Sequence, residues 1–217
     1  MRGLFGETFT SGVAEGFVVN EDRLLRLTER LGRFIVLLGK IGGWAIIPMM
    51  LAVVLDVIVR KIQFLTFFVI DNPWLRELIN SSKLQEWQWH FHTMLFMMAF
   101  GLTYMADRHV RIDSWREGRS NRGKALIEIV GICVFLLPYA CLMLYQSVWF
   151  TSLSYESNEV SAATTGLGNR WAIKAFMVVC YLILIAAALC ILARAIIFFR
   201  HPPTGQRLPL GIVHFNE

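Results

Sequence analysis

Charge is scarce in this sequence. Only 17% of its 217 residues are Asp, Glu, Lys or Arg, whereas 56% are hydrophobic, and the mean hydropathy is +0.53. Soluble domains carry about 25% charged and about 45–50% apolar residues, so that class is excluded. Intrinsic disorder, which needs a polar and highly charged chain, is excluded with it. Catalytic signatures are missing too: there is no GxSxG, P-loop, GxGxxG or HExxH, so the chain does not read as an enzyme. The four cysteines (Cys133, Cys141, Cys180, Cys190) lie inside apolar runs without CxxC spacing. They read as small buried hydrophobes and leave the redox compartment open. A cleavable signal peptide is not recognisable, because residues 1–19 lack a continuous apolar core and include Glu7 and Glu15. What remains is an integral membrane protein.

Four stretches approach the roughly 20 apolar residues that a bilayer core requires: about 41–59, 87–105, 126–149 and 175–199. The expected fold class is therefore all-α, with four transmembrane helices. The last span stops at His201-Pro202-Pro203, since proline cannot continue a helix. Pro48 and Pro138 sit inside spans one and three, where a kink is tolerated if neighbours satisfy the freed carbonyls. Residues 1–33 form an N-terminal segment, 34–200 the membrane domain and 201–217 a tail. Within the first, Leu24, Leu27, Leu31 and Phe34 recur at helical spacing between Arg23, Arg26, Arg30 and Arg33. That pattern fits an amphipathic helix in the headgroup region, and equally an extension of span one.

Positive charge sets the orientation. Fifteen of the 21 Lys and Arg residues fall before span one, between spans two and three, or at and beyond the last turns of span four; six fall on the other side. Both termini are expected to be cytoplasmic. The net charge of +5 is thereby a topology signal and needs no nucleic acid. Five of the seven tryptophans (Trp74, Trp87, Trp89, Trp149, Trp171) fall at the opposite, outer boundary, as a belt or as a docking surface. In the long outer connection 60–86, Asp71-Asn72-Pro73 reads as a cap followed by proline in a first helical turn. Trp74, Leu75, Leu78 and Ile79 would give that helix an apolar face.

Polar groups inside spans are costly and are the residues to weigh. Asp56 and Arg60 share a helix face four positions apart, as a local neutralising pair or an intersubunit contact. Lys174 and Arg194 lie near the ends of span four, where long side chains can reach water. Glu86-Trp87-Gln88-Trp89-His90-Phe91-His92 opens span two, yet His90 and His92 do not share a face. A zinc site needs three or four converging ligands, and spans one, three and four contain no histidine to hold a haem. Channels and autonomous carriers place polar residues or broken helices deep in several spans; here the interiors are nearly all apolar. The residues describe a scaffold or accessory subunit. Two alternatives are a membrane anchor of a respiratory complex binding haem or quinone, and a small multidrug-type exporter, which would need a membrane-embedded acid such as Asp56 or Glu128.

Two motifs carry a resemblance. Glu86-Trp87 leads into span two, which ends in Tyr104-Met105-Ala106-Asp107-Arg108-His109-Val110-Arg111-Ile112-Asp113. The outer loop then holds Glu156, Glu159, Ser161, Gly166-Leu167 and Arg170-Trp171-Ala172-Ile173-Lys174. Over roughly residues 34–200 the chain resembles the small membrane subunit of tripartite ATP-independent periplasmic (TRAP) transporters, departing at Gly168, where larger members often carry proline. The resemblance implies a small permease subunit in the bacterial inner membrane. Its partners would be a large permease subunit, which holds the substrate and sodium sites, a periplasmic substrate-binding protein and membrane lipids. The transported substrates would be organic acids taken up by sodium symport. No cofactor is implied in this chain, and bound phospholipid is compatible with it. The candidate interface or structural residues are Asp56, Arg60, Glu86, Trp87, His109, Arg111, Asp113, Glu159, Arg170 and Trp171. For His109, Arg111 and Asp113 the alternatives are pinning the helix exit locally and meeting lipid phosphate or a partner carboxylate.

Overall fold

The structure is a computed structural model, and it describes residues 7–106, 118–163 and 165–201. Among these the regular structure is helical and no strand occurs. In chain order the helices are α1 (Glu7–Gly43), α2 (Ile46–Lys61), α3 (Gln63–Asp71), α4 (Pro73–Leu78), α5 (Ser81–Met105), α6 (Asn121–Val130), α7 (Leu137–Glu156) and α8 (Trp171–Arg200), with a π-helical turn, Gly131–Leu136, joining α6 to α7. Three stretches are long and apolar enough to cross a membrane: Arg23–Lys61, Asn121–Glu156 and Trp171–Arg200. α5 covers the expected second span with 25 residues. Its Gln85, Gln88, His90, His92, Thr93 and Thr103 dilute its apolar character below that of the other three.

Both interior prolines leave a local mark. Pro48 has no N–H for the carbonyl of Trp44, four residues earlier. That carbonyl accepts from Ile47 N–H instead, at 3.1 Å, while Trp44 and Ala45 donate three residues back to Ile41 and Gly42. α1 and α2 are thus separated by two residues of tightened turn. Pro138 removes the donor for Val134, and the helix widens just before it. Leu137 N–H reaches the carbonyl of Ile132, five residues back, as in a π-bulge.

The chain forms two compact units. One comprises 1–35, 104–138 and 186–217. Its interior is built on small residues, with Ala125, Ala187, Ala188 and Ala195 fully buried beside Ile35, Met105 and Ile191; small side chains let helix backbones approach closely. Arg194 belongs to this interior at 8% exposure, set over the Phe198 ring at 5.9 Å and in the field of Glu29. The sequence suggested a side chain reaching water; instead Arg194 lies well inside α8. Cys190 is buried here, as Cys180 is in the other unit, but Cys133 and Cys141 are exposed on the apolar surface, so only half the cysteines are core residues.

The second unit comprises 36–103 and 139–185. α1 packs on α5 through glycine: a Cβ on Gly39 would lie 2.4 Å from Leu102 Cβ, and one on Gly42 would lie 2.2 Å from Met98 Cβ. The expected short outer helix is α4, which starts at Pro73 and ends at Leu78, leaving Ile79 outside it. Asn72 does not cap α4 with its side chain. Its Nδ2 donates 2.7 Å to the carbonyl of Phe68, closing α3, a helix within what hydropathy alone reads as connection. Four of the five outer tryptophans (Trp74, Trp87, Trp89, Trp149) are 40–72% exposed, as either a belt or a docking surface requires.

Candidate functional site

The second unit gathers the polar residues of the two sequence motifs. α7 ends in a helix-closing turn built on Asn158, which takes the left-handed φ of 45°. Asn158 N–H returns to the carbonyl of Tyr155, and Glu159 N–H to that of Ser154 at 3.0 Å. That pairing is the Schellman arrangement, with asparagine in the place glycine usually holds. The loop then folds back along itself. Arg170 N–H meets the carbonyl of Glu159 at 3.3 Å, and Ser161 N–H meets that of Leu167 at 3.1 Å. Gly166 is obligatory there, because a Cβ would lie 2.4 Å from Ser161 Cβ and 2.6 Å from Glu86 Oε1.

Glu86 locks this loop to α5. Ser161 Oγ donates to one carboxylate oxygen and Leu167 N–H donates to the other at 2.5 Å. Burial pushes the Glu86 carboxyl upward, but the hydrogen bonds from Ser161 and Leu167, with the charges of Arg170 and His90, together hold it below the usual carboxylate range. The His90 ring Nδ1 contacts the Glu86 carbonyl at 2.6 Å. Trp87 stacks on Phe91 at 5.3 Å, one turn along.

Glu159 is the second acid. It pairs with Lys174, and Arg170 lies 3.9 Å from its other oxygen. The hydrogen bond from Lys174 is the first cause of a lowered carboxyl pKa. Lys174 is 13% exposed and sits 3.7 Å over the Phe150 ring. It therefore reaches the loop carboxylate and an aromatic face, where the sequence suggested a side chain extending to water. Trp171 meets Tyr155 edge-to-face at 5.5 Å. These groups form a preorganised set of alternating charges around the loop 157–170.

Asp56 and Arg60 also pair, and the pair has a third member. Ser81 Oγ donates to Asp56 at 2.8 Å, and Asp56 is 4% exposed. Gln88 Nε2 reaches the carbonyl of Ala52 at 3.3 Å, so α2 is stitched to α5 at two levels. Ser81, Gln88, Lys174 and the backbone of Leu167 were not singled out from sequence as partners. For the loop the sequence signal is the run that holds Ser161, Gly166-Leu167 and Lys174; spacing does not join Ser81 to Asp56.

His109, Arg111 and Asp113 lie outside the described residues, as do residues 202–217 of the tail. Among the described residues, no three His, Cys, Asp or Glu side chains are grouped so as to hold a metal ion. The arrangement holds loops and helices in place through hydrogen bonds and charge; it positions surfaces. No protein-family model, no curated protein and no solved structure matches the chain.

Proposed function

We propose that this chain is the small, catalytically silent membrane subunit of a TRAP transporter, with four spans and both termini in the cytoplasm of a bacterial inner membrane. In this reading α5 is the fourth spanning helix, shielded by its neighbours, and the chain anchors a large permease subunit that moves organic acids with sodium. A periplasmic binding protein docks on the outer side of the pair. One observation carries the reading: Glu86 from one motif, and Ser161, Leu167, Arg170 and Lys174 from the other, meet in a single cluster around the outer loop. Residues 75 and 81 positions apart are joined as a shared motif set requires. The apolar exposed faces of α2 and α7 (Met50, Val54 and Ile58; Leu142, Tyr145 and Trp149) suit lipid or a membrane partner.

The test is co-expression and co-purification in mild detergent with a large TRAP permease subunit, followed by reconstitution. The pair with loaded binding protein should take up organic acid under a sodium gradient, while this chain alone should not. Uptake by the isolated chain, or failure of the two subunits to associate, overturns the proposal. A Soret band in the purified chain would favour the respiratory anchor instead.

A further inference from the structure

The exposed part of α1 carries three faces. Thr28 and Ile35 turn into the unit at 5% and 2% exposure, and Gly32 is buried with them. Leu24, Leu27, Leu31 and Phe34 turn outward, between 41% and 61% exposed. At 3.6 residues per turn these four fall within an arc of about 80°. Arg23, Arg26, Arg30 and Arg33, all exposed, occupy an adjoining arc of about the same width. Arg23, Arg26, Leu27 and Arg30 line an open groove of about 230 Å³. Among the described residues none of these three guanidiniums is held in an ion pair. Glu29, which neighbours Arg30, lies in the field of Arg194.

We propose that this groove binds the phosphate headgroup of an anionic phospholipid, with Leu24, Leu27, Leu31 and Phe34 lying against its acyl chains. Arginine presents planar, forked donors that match phosphate oxygens in pairs, and guanidiniums that no ion pair holds are open to the counter-charge that a net-negative headgroup brings. The adjoining stripe selects the source. A soluble phosphate compound would leave four large apolar side chains in water, whereas a lipid covers stripe and arginines together, as interfacial helices require. A zwitterionic lipid has a phosphate but carries its own cation, so the net-negative class is favoured. The inference needs no transporter partner and stands apart from the preceding proposal.

The full chain, purified in mild detergent, is offered an equimolar mixture of phosphatidylglycerol and phosphatidylcholine, and retained lipid is read by native mass spectrometry. The wild type should retain phosphatidylglycerol preferentially. R23Q/R26Q/R30Q should reduce that preference by up to roughly a hundredfold, as expected for three basic side chains at an anionic surface. Leu27→Asp, which places a carboxylate in the groove with every arginine intact, should lower it as well. R119Q/R122Q, on another exposed basic stretch, should leave it unchanged, and excess glycerol phosphate should not displace the lipid. Retained preference in both groove variants overturns the proposal. Equal loss in R119Q/R122Q also overturns it by showing a general charge effect, and displacement by glycerol phosphate overturns it by making a soluble phosphate compound the ligand.

Discussion

The carboxylate of Glu86 accepts the backbone N–H of Leu167 at 2.5 Å, across 81 positions of sequence. A carboxylate that satisfies a loop N–H and the Ser161 hydroxyl together fixes both the helix it leaves and the loop it receives. Hydrogen bonds to charged groups contribute about 1.5–3 kcal/mol net, and partial exposure of Glu86 reduces that. Glu86→Ala should therefore lower the free energy of opening the 161–167 segment by about 1–3 kcal/mol, read as faster amide exchange there with little change in α8.

Acid should reproduce part of that loss. The folded Glu86 carboxyl lies below the ordinary glutamate value of 4.5, so its ionised form favours the closed loop. Its contribution is complete above the ordinary value and fades as pH falls through the lowered one. Protection of 161–167 should decline on acidification below about pH 4.5. Glu86→Gln should begin with less protection and change less, the remaining change coming from Glu159, which Lys174 also holds low. An unchanged pH profile in the variant would show that Glu86 does not control the loop.

Gly166 and Gly168 separate backbone need from composition. A Cβ on Gly166 would collide with Ser161 and Glu86, whereas the nearest group to one on Gly168 is Val160 Cγ1 at 4.0 Å. Gly166→Ala should loosen the loop about as much as Glu86→Ala, and Gly168→Ala should not. The departure at Gly168 from the resembled pattern thus falls where side-chain volume is available.

Much of this was legible because bilayer-length apolar runs are a property of the sequence itself. The C-terminal end of α8, the exposed tryptophans and the start of α4 at Pro73 follow from proline chemistry and the amphipathic indole. The tightened turn at Trp44–Ala45 and the π turn before Pro138 were readable only as kinks, since the rearranged carbonyl partner depends on local geometry. Arg194 and Lys174 were misjudged for a shared reason. Distance from a span end shows where a long side chain can reach, but an acid or ring on another element decides where it goes. For α5 the apolar run identified the helix, while its polar residues keep it below the hydropathy of the three other long stretches.

The Asp56–Arg60 pair should respond asymmetrically. Asp56 is buried, but the Arg60 side chain is 52% exposed. Arg60→Gln leaves a buried carboxylate with Ser81 as its hydrogen-bond donor. Breaking a buried pair costs about 3–5 kcal/mol, which the exposure of Arg60 reduces to about 1–3 kcal/mol. Asp56→Asn removes the charge and keeps an acceptor for Ser81, so it should cost less. The double variant should be more stable than Arg60→Gln alone in thermal unfolding of the detergent-solubilised chain. A double variant less stable than both singles would assign the stabilisation to something other than charge burial.

Glycine packing of α1 on α5 gives a sharper contrast. A Cβ at Gly42 meets Met98 Cβ at 2.2 Å and Met98 Cα at 3.7 Å, whereas at Gly43 nothing lies within 4 Å. Gly42→Ala must separate the helices and should destabilise by about 1–3 kcal/mol, the usual cost of overpacking. Gly43→Ala should be neutral or slightly stabilising. Equal thermal midpoints for the two variants would mean that the helices are not in close contact there.

Orientation can be tested at two sites whose side chains carry no structural duty. Ser120 would be a poor probe, because its hydroxyl accepts from Gly123 N–H as the cap of α6. Gly118 has open space around a Cβ, and Ala162 is exposed in the outer loop. With the four native cysteines replaced, Gly118→Cys and Ala162→Cys should separate cleanly. The charge asymmetry of fifteen against six predicts that the segment holding Gly118 is inside. An impermeant thiol reagent should modify Ala162→Cys in intact cells and Gly118→Cys only after permeabilisation. Three helices by themselves meet the length and hydropathy needed to cross, so α5 needs its own comparison. If α6–α7 spans, Gly118 and Ala162 label oppositely whether or not α5 does. The deciding comparison is therefore a third cysteine at Glu77, exposed on α4, against Gly118. Opposite labelling of Glu77→Cys and Gly118→Cys requires α5 to cross the membrane, and matching labelling reduces the protein to three spans with its termini on opposite sides.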